Sequence, residues 1–198
     1  YDSIITQSDD ERKVVAARMA RADRAEGNAE KIRLYRDIIE KHERSEPVWR
    51  MVAETYATLA CITEDKTEKD ALYGAAIERY RSGPNQFDGR REWHAIDSLY
   101  RTRMSATEEP GEKLRLADER IDIAREMKAP QSLINGALLD KAELLSSAQQ
   151  KIELFRQVVE KSANGNNEFP FPPDLHLSRA LLGWAAATDD KEEKLRLY

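Results

Sequence analysis

The chain has 198 residues, 32 Lys or Arg against 37 Asp or Glu, a formal net charge of −5 and a hydrophobic fraction of 40%. That is too apolar for a disordered chain, while 35% charged residues exceed the roughly 25% of an average globular domain and suit a thin structure with much helix surface in water. The acidity is mild and spread out, without the basic excess of a nucleic-acid binder, and no apolar run approaches the roughly 20 residues that cross a bilayer.

Eight Gly and seven Pro are few for an all-β chain, and the longest β-branched run, Ile4-Ile5-Thr6, lies near the terminus. Residues 12–22 read as the first helix, with the small residues Ala16, Ala17 and Ala20 on it and Asp9-Asp10-Glu11 as its start signal. A second helix carries Ile32, Tyr35, Ile38 and Ile39 on one face. Residues 48–61 form a third, small-residue helix (Ala53, Ala57, Ala60), followed by the start signal Glu64-Asp65 and a helix bearing Leu72, Tyr73, Ala76, Ile77 and Tyr80. A connector over 81–89 leads to a helix over 92–106, and Pro110-Gly111 fits a turn entering the next. Residues 132–146, with Gly136 and Ala137, precede a helix bearing Ile152, Phe155, Val158 and Val159. The Asn- and Pro-rich connector over 162–173 holds Phe169 and Phe171, which tuck against the next helix or mark a contact site. Residues 175–187, with Ala180, Gly183, Ala185 and Ala186, and the start signal Asp189-Asp190 close the series.

One motif recurs through this order. Glu30-Lys31-Ile32-Arg33-Leu34-Tyr35 is echoed at 68–73, 112–117, 150–155 and 193–198, and its lysines (31, 69, 113, 151, 194) stand 38, 44, 38 and 43 residues apart. Tyr35, Tyr73, Phe155 and Tyr198 share one repeat position and are expected to pack. Each unit is a small-residue first helix, a polar turn and a larger-residue second helix.

This unit resembles a tetratricopeptide repeat (TPR). Tyr56-Ala57 with Ala60 falls where the family's first helix carries its large-then-small pair and next close contact, and Tyr73 and Ala76 fall where the second carries its packing residues. Leu181, Leu182, Ala185 and Tyr198 take the same places in the last unit. Lysine stands where the family has a small alanine, the units exceed 34 residues, and the closing proline is mostly absent, so Sel1-like and other hairpin solenoids stay open. The resemblance implies an all-α fold, an α-solenoid (right-handed superhelix) of about five TPR-like helix-turn-helix repeats, with units near 11–46, 47–89, 90–130, 131–173 and 174–198. The start at Tyr1 rather than Met and the stop at Tyr198 inside a motif are read as a fragment open at both ends.

The candidate chemistry is sparse. His42, His94 and His176 lie in different repeats without metal spacing, and are expected to be solvated or partner-facing. Cys61 has no cysteine to pair with and is expected as a small core residue. Trp49, Trp93 and Trp184 fall on first helices and are expected between hairpins. No nucleotide, nucleophile or zinc motif occurs, so neither cofactor nor metal is expected and the chain is read as no enzyme; a site assembled across repeats would center on Cys61 or His94.

The resemblance implies that first helices line a concave groove for a protein or peptide partner. Carried over, the groove positions are Lys13, Glu54, Thr58, Asp140, Glu143, His176 and Arg179, with His94, Asp97 and Arg101 from the third unit. The family's clamp for a C-terminal carboxylate is not recognizable, since only Lys13 and Arg179 have suitable chemistry. The expected role is a protein–protein interaction scaffold; the alternative is a peptide- or ligand-sensing module controlling an effector domain elsewhere. A soluble protein is expected, in the cytoplasm sooner than the periplasm, with partner identity and oligomeric state open.

Overall fold

The computed structural model describes residues 2–83, 90–164 and 174–197, and within them the ordered elements are eleven helices and no strand. They are α1 (Asp2–Gln7), α2 (Glu11–Asp23), α3 (Asn28–His42), α4 (Trp49–Ile62), α5 (Lys66–Ser82), α6 (Arg90–Ala106), α7 (Pro110–Glu126), α8 (Gln131–Leu144), α9 (Ala148–Asn164), α10 (Asp174–Ala187) and α11 (Lys191–Leu197).

The small-residue helices α2, α4, α6, α8 and α10 fall within about two residues of the spans expected from periodicity. The second helices start in strict register: Asn28, Lys66, Pro110, Ala148 and Lys191 each precede the repeat lysine by three residues (31, 69, 113, 151, 194). The acidic start signals act through one residue each. Asp10 accepts hydrogen bonds from the amides of Arg12 and Lys13, Asp65 from that of Glu68, and Asp190 from those of Glu192 and Glu193. Pro110 opens α7, where its missing N–H costs nothing.

Two differences concern boundaries. Ile4-Ile5-Thr6 lies in α1, a short helix the β-branched run did not announce. The second helices outrun the connectors expected at 81–89 and 162–173, α5 continuing through Ser82 and α9 through Asn164. Phe169, Phe171 and Tyr198 lie outside the described residues.

The chain divides into two compact units, Tyr1–Asp88 and Gly89–Tyr198. In the first, α1 to α5 pack each on the next, and α2 also reaches α4. Its core joins Val15, Ala22, Tyr35, Ile38, Val48, Val52 and Leu59. Each fully buried aliphatic side chain of this kind contributes about 1.5–3 kcal/mol. In the second unit, α6 to α11 pack each on the next, and α10 also reaches α8. Its core includes Ile121, Ala137, Leu138, Leu139, Phe155, Val158 and Ala180.

The shared repeat position packs as expected, with Tyr35, Tyr73 and Phe155 buried and Ala117 buried at the same place in α7. Small residues set close approaches: a Cβ at Gly183 of α10 would lie 2.5 Å from the Phe155 ring, and one at Gly136 of α8 would lie 3.4 Å from the His176 ring.

Two residue types depart from expectation, and a third meets it by degrees. Cys61 is exposed, not core: Leu59 and Ala60 take the buried face of α4, and Cys61, a further step around the helix, turns to solvent with its Sγ 3.5 Å from the Tyr73 hydroxyl. His42 is not solvated, because Glu11 of α2 binds its Nδ1 at 2.8 Å and also accepts the Ser45 hydroxyl at 2.7 Å, closing over the end of α3. Among the tryptophans only Trp93 is fully buried. Trp49 and Trp184 are half-buried, the first edge-on to Tyr80, the second beneath the Arg156 guanidinium at 4.8 Å.

Candidate functional site

The ten candidate residues divide sharply. In the first unit, Lys13 on α2 is exposed and lies 3.5 Å from Asp10, one turn back. Glu54 on α4 pairs along its own helix with Arg50 at 3.4 Å, and the Thr58 hydroxyl donates to the Glu54 carbonyl at 2.9 Å. These three form no cluster with one another beyond that backbone bond.

In the second unit, five of the candidates meet. Asp97 and Arg101 come from α6, Asp140 and Glu143 from α8, and Arg179 from α10, three successive first helices. They are joined by a residue the sequence reading missed, Arg120 of α7. Its side chain is about 1% exposed, and arginine is almost never so buried unless paired. Arg120 donates Nε to Asp97 Oδ1 at 2.6 Å and Nη1 to Asp140 Oδ2 at 2.8 Å, while Nη2 lies 2.5 Å from the same Asp97 oxygen. A signal for it was present. Seven residues past the repeat lysine stand Ile38, Ala76 and Val158, all buried, and in the third repeat stands Arg120 (31 to 38, 69 to 76, 113 to 120, 151 to 158).

Two further arginines close the network from outside. Arg101 donates Nε to Asp97 Oδ2 at 2.9 Å and holds Nη2 2.9 Å from Asp140 Oδ2. Arg179 donates Nη2 to Asp140 Oδ1 at 2.9 Å and to Glu143 Oε1 at 2.6 Å, with Nε 3.2 Å from that same glutamate oxygen. Three arginines thus face three carboxylates, and formal charge balances. Exposure does not: Arg101, Arg179 and Glu143 are 53%, 37% and 63% exposed, Asp97 and Asp140 only 16% and 17%.

Electrostatics follow from this layering. Burial pushes the Asp140 carboxyl up, but the hydrogen bonds from Arg120 and Arg179 and the Arg101 charge outweigh it and hold the group below the ordinary aspartate value. The guanidinium of Arg179 is lowered by burial and raised more by Glu143 and Asp140, so it stays charged. His176, on α10 one turn before Arg179, is half-buried rather than solvated, with its ring against Gly136. Burial and the Arg179 charge push its imidazole down, with Asp140 pulling the other way. His94 is exposed, as expected, and makes none of the network's bonds.

Such an arrangement orders a charged surface; it offers no nucleophile with an adjacent base. Among the described residues no group of three or more His, Cys, Asp and Glu could hold a metal ion, and no helix is long and apolar enough to cross a membrane. No family model, no curated protein and no solved structure matches the chain.

Proposed function

We propose that the chain is a TPR-like α-solenoid acting as a protein–protein interaction scaffold rather than an enzyme, and that first helices of its hairpins form the face that takes a peptide or protein partner. The observation that carries this reading is the meeting of Asp97, Arg101, Asp140, Glu143 and Arg179, from three successive first helices, on one part-exposed surface. Partner faces commonly surround fixed polar groups with adaptable ones, and ordering long side chains in advance reduces the entropy lost on binding. Contacts between first helices of successive hairpins, α2 with α4 and α8 with α10, support hairpin stacking inside each unit.

The test is quantitative partner capture with the immobilized chain and with Arg101→Glu, Glu143→Lys and Arg179→Glu, each checked for helical content. Loss of the same partners from these variants, but not from Lys13→Glu, supports the reading. An identical partner set across all of them removes it.

A further inference from the structure

The layering of this cluster has a consequence for what it can hold. Asp97 and Asp140 each receive two kinds of partner: the buried Arg120 from within, and Arg101 or Arg179 from outside. Either outer arginine can therefore turn toward another anion while its aspartate keeps a counter-ion. Without Arg120, that motion would strand a carboxylate in a recessed, poorly hydrated position. The outer arginines also keep donors in reserve. Every hydrogen bond and ion pair of Arg101 and Arg179 uses Nε or Nη2, so among the described residues Nη1 of each is uncommitted. Both guanidiniums reach one carboxylate, Asp140, from different helices, and both are more exposed than it, at 53% and 37% against 17%. The acids beneath them are recessed.

Resting on the scaffold reading above, we propose that this surface binds a partner segment through its side-chain carboxylates, which bridge the free edges of Arg101 and Arg179, and that Arg120 is the positioning residue that keeps those two arginines available. Glu143 opposes the incoming acid. It is the exposed carboxylate of the cluster and holds Arg179 by two donors, so it acts as an internal competitor.

The test uses a short fluorescent peptide in which glutamates alternate with serines, both ends blocked so that no terminal carboxylate contributes. Companion peptides carry glutamine or lysine in place of glutamate, and anisotropy is followed against the whole chain. The glutamate peptide binds, the glutamine peptide binds more weakly, and the difference shrinks with added salt. Arg101→Gln and Arg179→Gln each weaken binding about two- to fivefold, as expected for one exposed charge pair. Glu143→Gln tightens it about twofold. Arg120→Met abolishes binding by drawing the outer arginines onto the two aspartates, and adding Asp97→Asn with Asp140→Asn restores it. Binding is compared at equal helical content and below the denaturant midpoint of each variant, because a merely structural role loses binding only as the folded fraction falls, whereas a positioning role loses it in the folded Arg120→Met chain.

Preference for the lysine peptide, an unchanged or weakened Glu143→Gln complex, or failure of the triple variant to recover binding while it keeps its helical content overturns the proposal. If no peptide binds while partner capture still responds to Arg101→Glu and Arg179→Glu, the acidic chemistry falls and the scaffold stands. If capture is also indifferent, both fall.

Discussion

Ile38 in α3 and Arg120 in α7 stand seven residues past their repeat lysines, and each is about 1% exposed, yet one sits among aliphatic side chains and the other among carboxylates. Their neighbors changed with them. Eleven residues before the following repeat lysine, α8 supplies Asp140 where α4 has Thr58 (140 to 151, 58 to 69). Sixteen residues before the lysine of its own hairpin, α6 supplies Asp97 where α2 has Val15 (97 to 113, 15 to 31), a core neighbor of Ile38. One backbone slot thus accepts either a greasy or an ionic plug, provided the flanking first helices are matched to it. In the first unit, charge sits in smaller groups, Asp37 with Arg18 at 2.9 Å and Lys41 at 2.6 Å, and Glu43 with Arg79 at 3.4 Å and the Tyr56 hydroxyl at 2.6 Å. In the second unit it runs through the packing layer to the surface.

The sharpest way to break the comparison is to exchange plugs without exchanging neighbors. Ile38→Arg puts a guanidinium in a cluster with no carboxylate, at several kcal/mol for the bare ion on top of lost packing, and is expected to abolish cooperative unfolding of the first unit in urea. Arg120→Ala leaves two recessed acids unpaired and is expected to cost about 3–5 kcal/mol, measured as a lowered denaturant midpoint for the second unit. Acid sharpens the same point. The folded Asp140 titrates below its unfolded value of about 4, so its contribution is present above that pH and disappears as pH falls through the folded value; Asp140→Asn should flatten that limb.

Smaller effects test packing away from the charges. Gly183→Ala forces a methyl onto the Phe155 ring and is expected to cost about 1–3 kcal/mol, with α9 and α10 losing hydrogen-exchange protection first. Tyr56→Phe removes the bond to Glu43 and is expected to cost about 0.5–1.5 kcal/mol. Burial and Glu43 push the Tyr56 hydroxyl up to about 12, so its folded pKa lies above the unfolded one. The contribution is complete below pH ~10 and disappears between there and the folded value, a loss that phenolate absorbance should track and that Tyr56→Phe should lack.

Helices were legible because two periods reinforced each other, the apolar face within a helix and the lysine motif between hairpins. Trp93 and Tyr35 followed from that pattern. Cys61 and His42 did not, since burial there depends on one step around α4 and on a glutamate 31 residues away in sequence. Five of the candidate positions converge in the second unit, but the repeat register alone could not tell that Thr58 and Lys13 would make only contacts within their own helix ends. Arg120 was readable only as a mismatch between repeats, and mismatch becomes visible when equivalent positions are compared down the column rather than along the chain.

The turn inside each hairpin is nearly invariant: three residues separate α4 from α5, α6 from α7, α8 from α9 and α10 from α11, and four separate α2 from α3. The long lysine interval 151 to 194 coincides with the widest gap, between Asn164 and Asp174, whereas the interval 69 to 113 takes most of its extra length from the 17-residue α5 and α6, against 15 and 14 residues in α3 and α4. The turn within the hairpin is therefore held fixed, and changes in length fall on the helices and on the seams between hairpins. Epitope tags or reporter domains spliced at those seams should leave the helices on either side intact, whereas the same insert within a three-residue turn would pry a hairpin apart.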